Sequence, residues 1–217
     1  MNGPALMDLA RDTAHDLADE VALRRVYATG PSATSLDKVA DHVHPLYRRY
    51  IEASPFAVLA TRGPHGLDTS PRGDAPGFVT IADERTLLLP DRRGNQRIDS
   101  LRNLVHDPHC ALLFLIPGVA EALRVNGTAR ISAHPALCER LAMQGKPAET
   151  VLVIAVASVY FQCARAIARA GLWDPSRHVD RATLPSPGSI LQCLSDGGID
   201  GSAYDAALPA RQQATLY

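Results

Sequence analysis

The chain reads Leu87-Leu88-Leu89-Pro90-Asp91-Arg92-Arg93-Gly94-Asn95-Gln96-Arg97-Ile98-Asp99-Ser100 at the centre of the stretch that decides its fold. The segment that precedes it is Thr69-Ser70-Pro71-Arg72-Gly73-Asp74. Two segments follow it, Asp107-Pro108-His109-Cys110-Ala111-Leu112-Leu113-Phe114-Leu115 and Leu123-Arg124-Val125-Asn126-Gly127-Thr128-Ala129-Arg130. The order predicts an arginine-bearing strand end, a Gly/Arg loop, a short helix and two strong strands. Cationic side chains and backbone donors at strand ends and a helix start are typical of a phosphate site.

The composition is that of a globular protein with almost balanced charge. The 217 residues are 46% hydrophobic and 21% charged, with a formal net charge of -1. A chain without a net positive charge is a poor candidate for binding nucleic acid. Charged residues among the first 20 positions exclude a secretory apolar segment, and no apolar run approaches the ~20 residues that span a bilayer. We therefore expect a cytoplasmic protein with no nucleic-acid partner and no membrane partner.

The cysteines and histidines give no metal or disulfide pattern. The four cysteines are widely spaced, at Cys110, Cys138, Cys163 and Cys193. Buried thiols are the expected state of such cysteines in a chain of this length. The candidate metal groups are His42 with His44, and His106 with His109 and Cys110. Neither group has a zinc-site spacing, so no metal is expected.

Apolar periodicity divides the chain into three parts. Helices are predicted over residues 5–28 and 35–53, with Ser35 as the N-cap of the second. Short strands then follow at 56–61, 69–71, 77–81, 86–90, 110–116, 122–132 and 150–158, interrupted by helices over 95–106 and 136–144. Helices are predicted again over 160–170, 189–194 and 202–217. Six or seven strands at this spacing predict a mainly β fold with helical additions (α+β), arranged as an antiparallel barrel rather than a parallel sheet.

The arginines are the remaining chemical signal, because the common nucleotide-binding and hydrolase motifs are missing. Arg72, Arg97 and Ser100, together with Gly94-Asn95, would place guanidinium, amide and hydroxyl donors at neighbouring strand ends and the following helix. A nucleotide phosphate fits such donors. Arg124 shares a strand face with Ala122 and Asn126 and would also suit an anion. Arg92 and Arg93 belong to the same set of positive positions. The alternative is that these arginines are solvated, in which case Arg92 and Arg93 form a hydrated turn.

Residues 55–132 resemble the flavin-binding split barrel of the pyridoxamine 5'-phosphate oxidase-like family, in its branch of small FMN proteins. The matching parts are the hairpin Phe56 to Arg72, the loop and helix Asp91 to Leu104, the Asp107-Pro108 turn with the strand after it, and Arg124-Val125-Asn126-Gly127. Weaker similarity extends through Leu172-Trp173-Asp174-Pro175 to the carboxyl-terminal part of the chain. The family's usual basic residue is Ser100 here, and the glutamine that the oxidase supplies from its partner chain is Ala122.

The resemblance implies a role for each matching residue. Ser70, Pro71, Arg72 and Gly73 would line the FMN ribityl-phosphate and part of the ring, and Pro90 and Asp91 would lie along the flavin edge. Asn95, Arg97 and Ser100 would hold the phosphate at the helix start. Arg124 would substitute for the missing glutamine. Trp173 follows a helix end, where such a ring most often closes the edge of a core; the functional alternative is that it covers the flavin or substrate pocket, in the same chain or in a partner chain.

The resemblance also implies the organisation and the activity. Residues 1–54 would form an N-terminal helical extension, 55–158 the FMN-binding split barrel, and 159–217 a helical tail that packs on the barrel. The protein would be a homodimer with FMN at the protomer interface, and an FMN-dependent oxidoreductase acting on an unidentified small molecule, with NAD(P)H as a candidate donor. The alternatives are a non-catalytic flavin or haem carrier and a deazaflavin-dependent reductase. No catalytic residue is assigned, since Tyr160, His106 and His109 also suit structural roles.

Overall fold

A computed structural model describes residues 6–216 as two units, one ending at Lys38 and one beginning at Val39. The first unit contains α1 (Leu6–Arg11), α2 (Glu20–Val26), α3 (Ala33–Asp37) and a 3-10 turn at Thr13–His15. The single helix predicted over residues 5–28 is therefore wrong, and position 5 lies outside the described residues. Asp12 and Asp19 interrupt it, because their carboxylates accept the backbone N–H groups of Ala14 and Ala22 and cap new turns.

The second unit opens with an extended segment and a helix. The helix predicted over 35–53 is broken in the same way, and Ser35 lies inside α3 instead of capping it. Ala40 pairs with Val159 as an isolated bridge, so the backbone here is extended. Helix α4 (Pro45–Ala53) then begins at a proline, and the ring of His44 accepts the N–H of Leu46 as its cap.

Seven antiparallel strands form one sheet in the order β2-β1-β5-β6-β7-β4-β3. They are β1 (Phe56–Gly63), β2 (Gly66–Gly73), β3 (Thr80–Asp83), β4 (Thr86–Asp91), β5 (His109–Leu115), β6 (Ala122–Ser132) and β7 (Thr150–Gln162). The helices that follow α4 are α5 (Asp99–His106), α6 (Pro135–Arg140), α7 (Arg165–Ala170), α8 (Pro187–Leu194) and α9 (Gly201–Ala214), with 3-10 turns at Pro175–Arg177 and Arg181–Thr183. This antiparallel split barrel, with helices before and after it, confirms the predicted fold class.

The barrel core consists of the alternate residues that each strand turns inward. Fully buried examples are Leu59 of β1, Leu87 and Leu89 of β4, Leu112 and Phe114 of β5, Leu123 and Val125 of β6, and Leu152 and Ile154 of β7. Helix α5 packs against β1, where Asn103 Nδ2 donates to Thr61 Oγ1 at 3.1 Å. The ends of β2 and β4 lie beside the amino terminus of α5, where residues of all three elements line one cavity.

Several predicted boundaries differ from the structure. Helix α5 begins at Asp99 rather than at 95, because Gln96 and Ile98 have φ angles of 61° and 50°, which no helix accepts. The helix predicted over 160–170 begins as strand, since β7 continues to Gln162. Its end at Gly171 is confirmed, with that glycine at φ 57°. The helix predicted over 202–217 corresponds to α9, and position 217 lies outside the described residues. Within residues 6–216, none of the helices is long and apolar enough to cross a membrane.

Candidate functional site

Strand β2, at one end of the sheet order, approaches β4, the second strand from the other end, and polar side chains of both strands line the gap. Arg72 and Ser70 of β2 pair across the ladder with Ala57 and Leu59, which are fully buried. Cross-strand partners share a face, so Arg72 and Ser70 point toward the barrel interior. Asp91 is also on the interior face, because it alternates with the buried Leu89 and Leu87. The open side of the barrel is therefore lined by charge instead of apolar groups.

Two cavities occupy this gap, and they form one cleft. The first, of ≈ 330 Å³, runs from β2 to the amino terminus of α5. The second, of ≈ 490 Å³, runs along the ends of β2 and β4. Both are lined by Ser70, Arg72, Asp91, Arg92, Gly94 and Asn95. We call this continuous space the split cleft.

The predicted residues of β2, of β4 and of the following loop all line the split cleft. Pro71, Gly73 and Pro90 line the second cavity, and Arg97 and Ser100 line the first. Ser70, Arg72, Asp91 and Asn95 line both. The structure thus brings together residues from three separate sequence segments.

Arg72 is one of two arginines that line both cavities of the split cleft. Its Nη1 donates to Ser70 Oγ at 2.7 Å and to the Pro71 carbonyl oxygen at 3.2 Å. Its Nη2 lies 3.9 Å from Asp91 Oδ1. Its Nε is buried and has no hydrogen-bond partner among the described residues. A buried donor without a partner is uncommon in folded proteins, and this one belongs to a side chain that lines both cavities.

Asp91 faces Arg72 from the opposite strand. Burial raises the pKa of the Asp91 carboxyl, the nearby Arg72 guanidinium partly opposes that rise, and the Glu149 carboxylate adds to it. Burial therefore destabilises the ionised form of Asp91, and the attraction of Arg72 offsets only part of that effect. A carboxyl in this position accepts hydrogen bonds while it is ionised and donates one once it is protonated.

Arg92 connects the cleft to the rest of the barrel through two hydrogen bonds, so the hydrated-turn alternative does not hold for this residue. Its Nε donates to Asp74 Oδ2 at 3.1 Å, and its Nη1 donates to the Leu141 carbonyl oxygen at 2.8 Å. The side chains of Arg92 and Asp74 are 18% and 1% exposed. Arg93, by contrast, is exposed. The sequence could not separate the two neighbours, since the partner Asp74 lies 18 positions away.

The loop between β4 and α5 has an unusual backbone. Asn95 Oδ1 accepts the N–H of Arg97 at 3.1 Å, and Arg97 Nε donates to Asp99 Oδ2 at 2.7 Å. Arg97 is 74% exposed, so it lies at the rim of the cleft. The N-cap of α5 is Ile98, which provides no side-chain cap and has a φ of 50°. A β-branched residue in this region is strained, and strained backbone concentrates at functional loops.

Arg124 and Trp173 line neither cavity of the split cleft within the described residues. Arg124 Nη1 donates to the Tyr160 hydroxyl at 2.9 Å, and the guanidinium lies 5.4 Å from the centre of that ring. Trp173 Nε1 donates to the Val119 carbonyl oxygen at 2.8 Å. Val119 precedes β6 and Arg124 lies near its start. The two residues therefore lie apart from the predicted phosphate site in one chain.

Several lining residues escaped the sequence analysis, among them Phe78 in the second cavity and the three that follow. Asp68 and Glu149 line the first cavity, and Leu216 lines the second. Asp68 precedes Ser70 by two positions, so strand periodicity could have placed it on the same face. Glu149 and Leu216 gave no signal, since each reaches the cleft only through tertiary packing.

The charges of the first cavity suit one anionic group surrounded by hydroxyl groups. Its lining contains Arg72, Arg92 and Arg97 against Asp68, Asp91, Asp99 and Glu149. Arg92 already donates to Asp74, and Arg97 donates to Asp99. The Nε of Arg72 and the α5 amino terminus, which has no side-chain cap, remain as donors for an anion. The carboxylates would accept hydrogen bonds from hydroxyls of the same ligand.

One protein-family model matches the part of the sequence that forms the sheet. The model described as pyridoxamine 5'-phosphate oxidase matches residues 43–163, more than half of the chain. No curated protein matches the sequence. The matched residues run from the segment before α4 to the residue after β7, and so contain all seven strands.

Solved structures are similar to this chain at low sequence identity. HupZ of Group A Streptococcus is 17% identical, covers 52% of this chain and 88% of its own, and gives a TM-score of 0.43. A Clostridium acetobutylicum protein related to general stress protein 26, of the pyridoxinephosphate oxidase family, is 17% identical, with coverages of 53% and 84% and a TM-score of 0.43. A protein named F420 reductase is 20% identical, with coverages of 52% and 94% and a TM-score of 0.41.

Proposed function

The chain belongs to the pyridoxamine 5'-phosphate oxidase family, and on that premise we propose that it binds FMN in the split cleft and is an FMN-dependent oxidoreductase acting on a small molecule. The observation that most supports this proposal is the buried Nε of Arg72, a cationic donor on β2 with no partner among residues 6–216, in a side chain that lines both cavities. A phosphate would satisfy it with a charge-assisted hydrogen bond.

The residues of the cleft divide by the part of FMN that they suit. Arg72, Asn95 and the amino terminus of α5 would hold the phosphate, with Arg97 and Ser100 beside them. Asp68 and Asp91 would accept hydrogen bonds from the ribityl hydroxyls. Pro71, Pro90 and Phe78 in the second cavity offer apolar surface to the ring system.

When bound, a flavin supplies the electron-transfer chemistry, and the protein supplies binding, orientation and electrostatics. Asp91 is the titratable group best suited to moving a proton in the cleft, since the pKa of its buried carboxyl is raised. Arg72 keeps a positive charge beside Asp91, which limits that rise. The arginines bind the cofactor and take no part in the electron transfer.

We further propose that the protein works in the cytoplasm as a homodimer with FMN at the protomer interface. Arg124 and Trp173 support this proposal, because they would complete the site from a second chain rather than from their own. A mostly apolar groove of ≈ 590 Å³ on β1, β2, β5 and β6, lined in part by Ala60, Leu67 and Ala111, offers a surface for such a partner. Leu67 is 86% exposed, which is costly for a large apolar side chain in water.

Absorption spectroscopy and fluorescence titration test the cofactor. The purified protein, mixed with FMN, is expected to quench the flavin fluorescence and to retain a flavin spectrum after gel filtration. A colourless protein that leaves the FMN fluorescence unchanged would contradict the proposed FMN binding. A deazaflavin or haem spectrum would replace FMN with that cofactor.

Reduction of the bound flavin tests the activity. NADH or NADPH is expected to bleach the flavin absorbance under anaerobic conditions, with reoxidation when an acceptor is added. Bound FMN that neither nicotinamide nucleotide reduces would favour the non-catalytic carrier. Gel filtration with light scattering tests the dimer, and a monomer that still binds FMN would rule out an interface site.

A further inference from the structure

Two ion pairs of opposite polarity cross the split cleft. In the inner pair the cation is on β2 and the carboxylate on β4, since Arg72 Nη2 lies 3.9 Å from Asp91 Oδ1. In the outer pair the polarity is reversed, since Arg92, which follows β4, donates to Asp74, which follows β2. Resting on the proposed function, we propose that Arg92 is a positioning residue that sets the width of the split cleft through Asp74, while the inner pair exchanges partners with the ligand.

The width of the cleft cannot be set by strand pairing. Strand β2 has β1 as its neighbour, and β4 lies between β7 and β3. Strand β3 pairs with β4 only from Thr86 to Leu88, so the end of β4 that faces β2 extends past its ladder with β3. Backbone hydrogen bonds fix neighbouring strands about 4.8 Å apart, and β2 and β4 are not neighbours. Side chains that join these two ends therefore contribute to their separation, beside the backbone segment 74–79 that connects β2 to β3.

The outer pair has the geometry of a fixed connection. Arg92 Nε donates to Asp74 at 3.1 Å while Nη1 donates to the Leu141 carbonyl oxygen at 2.8 Å, so one guanidinium joins the ends of β2, β4 and α6. The side chain of Asp74 is 1% exposed. Removing one member of so buried a pair leaves the other charge uncompensated, which makes the connection costly to break.

The inner pair has the opposite character. Its atoms are separated by 3.9 Å, beyond hydrogen-bond distance, and the Arg72 Nε has no partner among the described residues. An incoming anion can therefore engage Arg72 without any change in the outer pair. The outer pair positions the strand ends, and the inner pair meets the ligand.

Binding of two related ligands separates positioning from direct contact. We compare dissociation constants for FMN and for riboflavin, which lacks the phosphate, in the natural chain and in Arg92→Met, Asp74→Asn, their double variant and Arg72→Ala. Arg92→Met and Asp74→Asn are each expected to raise the dissociation constants of FMN and of riboflavin by the same factor, about tenfold. The double variant is expected to be no worse than either single variant, because both remove one connection. Arg72→Ala is expected to raise the dissociation constant of FMN and to leave that of riboflavin unchanged.

Opposite results overturn the proposal. An Arg92→Met variant that loses FMN affinity but keeps riboflavin affinity would make Arg92 a phosphate ligand. Additive losses in the double variant would mean that Arg92 does not act through Asp74. Unchanged affinities for both ligands would remove any positioning role. Arg102→Met, an exposed arginine on α5 outside both cavities, is the matched control.

Amide hydrogen exchange of the ligand-free protein gives a readout that does not depend on flavin. Arg92→Met is expected to speed exchange in residues 68–74 and 91–98 and to leave the centre of β5 and β6 unchanged. Uniform acceleration, or none, contradicts the proposal. If Arg92→Met does not fold, Arg92→Lys, which keeps the charge but cannot join two acceptors in the same fork, is measured instead. If the natural chain binds neither flavin, the proposed function fails, and hydrogen exchange still decides the role of Arg92.

Discussion

Arg72 Nη2 and Asp91 Oδ1 lie 3.9 Å apart across the open side of the barrel, on two strands that are not neighbours in the sheet. Each residue belongs to the interior face of its strand, so the pair closes the end of the core with charge. The same pair leaves a buried Arg72 donor unused. The proposed phosphate site follows from this combination of burial, positive charge and a missing partner.

Asp91→Asn should reveal the raised pKa of this carboxyl through the pH dependence of stability. A carboxyl whose folded pKa is raised binds its proton more tightly in the native state, so it costs stability as pH rises from the unfolded pKa through the folded one. Asparagine lacks this cost. The free energy of unfolding of Asp91→Asn minus that of the natural chain should therefore rise as the pH increases from the unfolded pKa of an aspartate, about 4, to the raised pKa of folded Asp91, by at most about 1.4 kcal/mol per pH unit.

Urea unfolding of both proteins at several pH values measures this difference. A constant offset from the lost contact with Arg72 does not change its slope. A difference that stays flat or falls across the interval would show that the Asp91 pKa is not raised. Glu52→Gln, on exposed surface of α4, provides the control.

Arg97→Ala should weaken FMN binding less than Arg72→Ala does. Arg97 is 74% exposed and already donates to Asp99, so solvent screens any contact that it makes with a phosphate. Isothermal titration of the two variants with FMN compares them directly, and a fluorescence titration serves as a second method. An Arg97→Ala loss equal to or larger than that of Arg72→Ala would move the main phosphate contact to the loop.

Gly127→Ala should destabilise the barrel by about 1 to 3 kcal/mol, the usual cost of overpacking. Gly127 lies at the irregularity in β6 beside Asn126, and a Cβ there would meet the backbone carbonyl of Ala155 on β7. Backbone cannot move aside as a flexible side chain could. Gly94→Ala is the control, because the nearest atom to its Cβ would be 4.0 Å away. Chemical denaturation that gives equal stabilities for the two variants would contradict the tight packing at Gly127.

The cysteines should divide into two classes by reactivity. Cys110 and Cys138 are buried, Cys163 and Cys193 are exposed, and burial raises the pKa of the Cys110 thiol to about 11. Thiolates are the reactive form, so an alkylating reagent near neutral pH should label Cys163 and Cys193 in the folded protein and the other two only after unfolding. Mass spectrometry of digested, labelled protein identifies the sites. Early labelling of Cys110 would contradict its burial.

The sheet could be predicted from the sequence because its strands have regular patterns and clear turns. Leu87 and Leu89 alternate with half-buried neighbours, and Leu123 and Val125 do the same on β6. The long N-terminal helices were predicted wrongly, since apolar spacing concealed Asp12 and Asp19, whose side chains cap short turns. At Asp12 and Asp19, hydrogen bonds from the backbone to a nearby side chain end one turn and begin another, although the apolar spacing continues.

The candidate site could be predicted in part. Residues 70–73, 90–91 and 95–100 matched a known pattern, and the structure assembles them around one cleft. The outer pair could not be predicted, because nothing local distinguishes Arg92 from Arg93. Only the barrel brings Asp74 next to Arg92. Arg124 and Trp173 keep their predicted roles as proposals, which depend on a second chain.

The affinity of Arg72→Ala for FMN tests the central claim most directly. Isothermal titration is carried out on the natural chain, on Arg72→Ala and on Arg102→Ala, an exposed arginine outside both cavities, as the matched control. We expect the Arg72 variant to lose about 1.5 to 3 kcal/mol of binding free energy, the usual contribution of a hydrogen bond to a charged group, while the control keeps its affinity. Equal affinities in all three proteins, or no FMN binding by the natural chain, would contradict the assignment of the phosphate to Arg72.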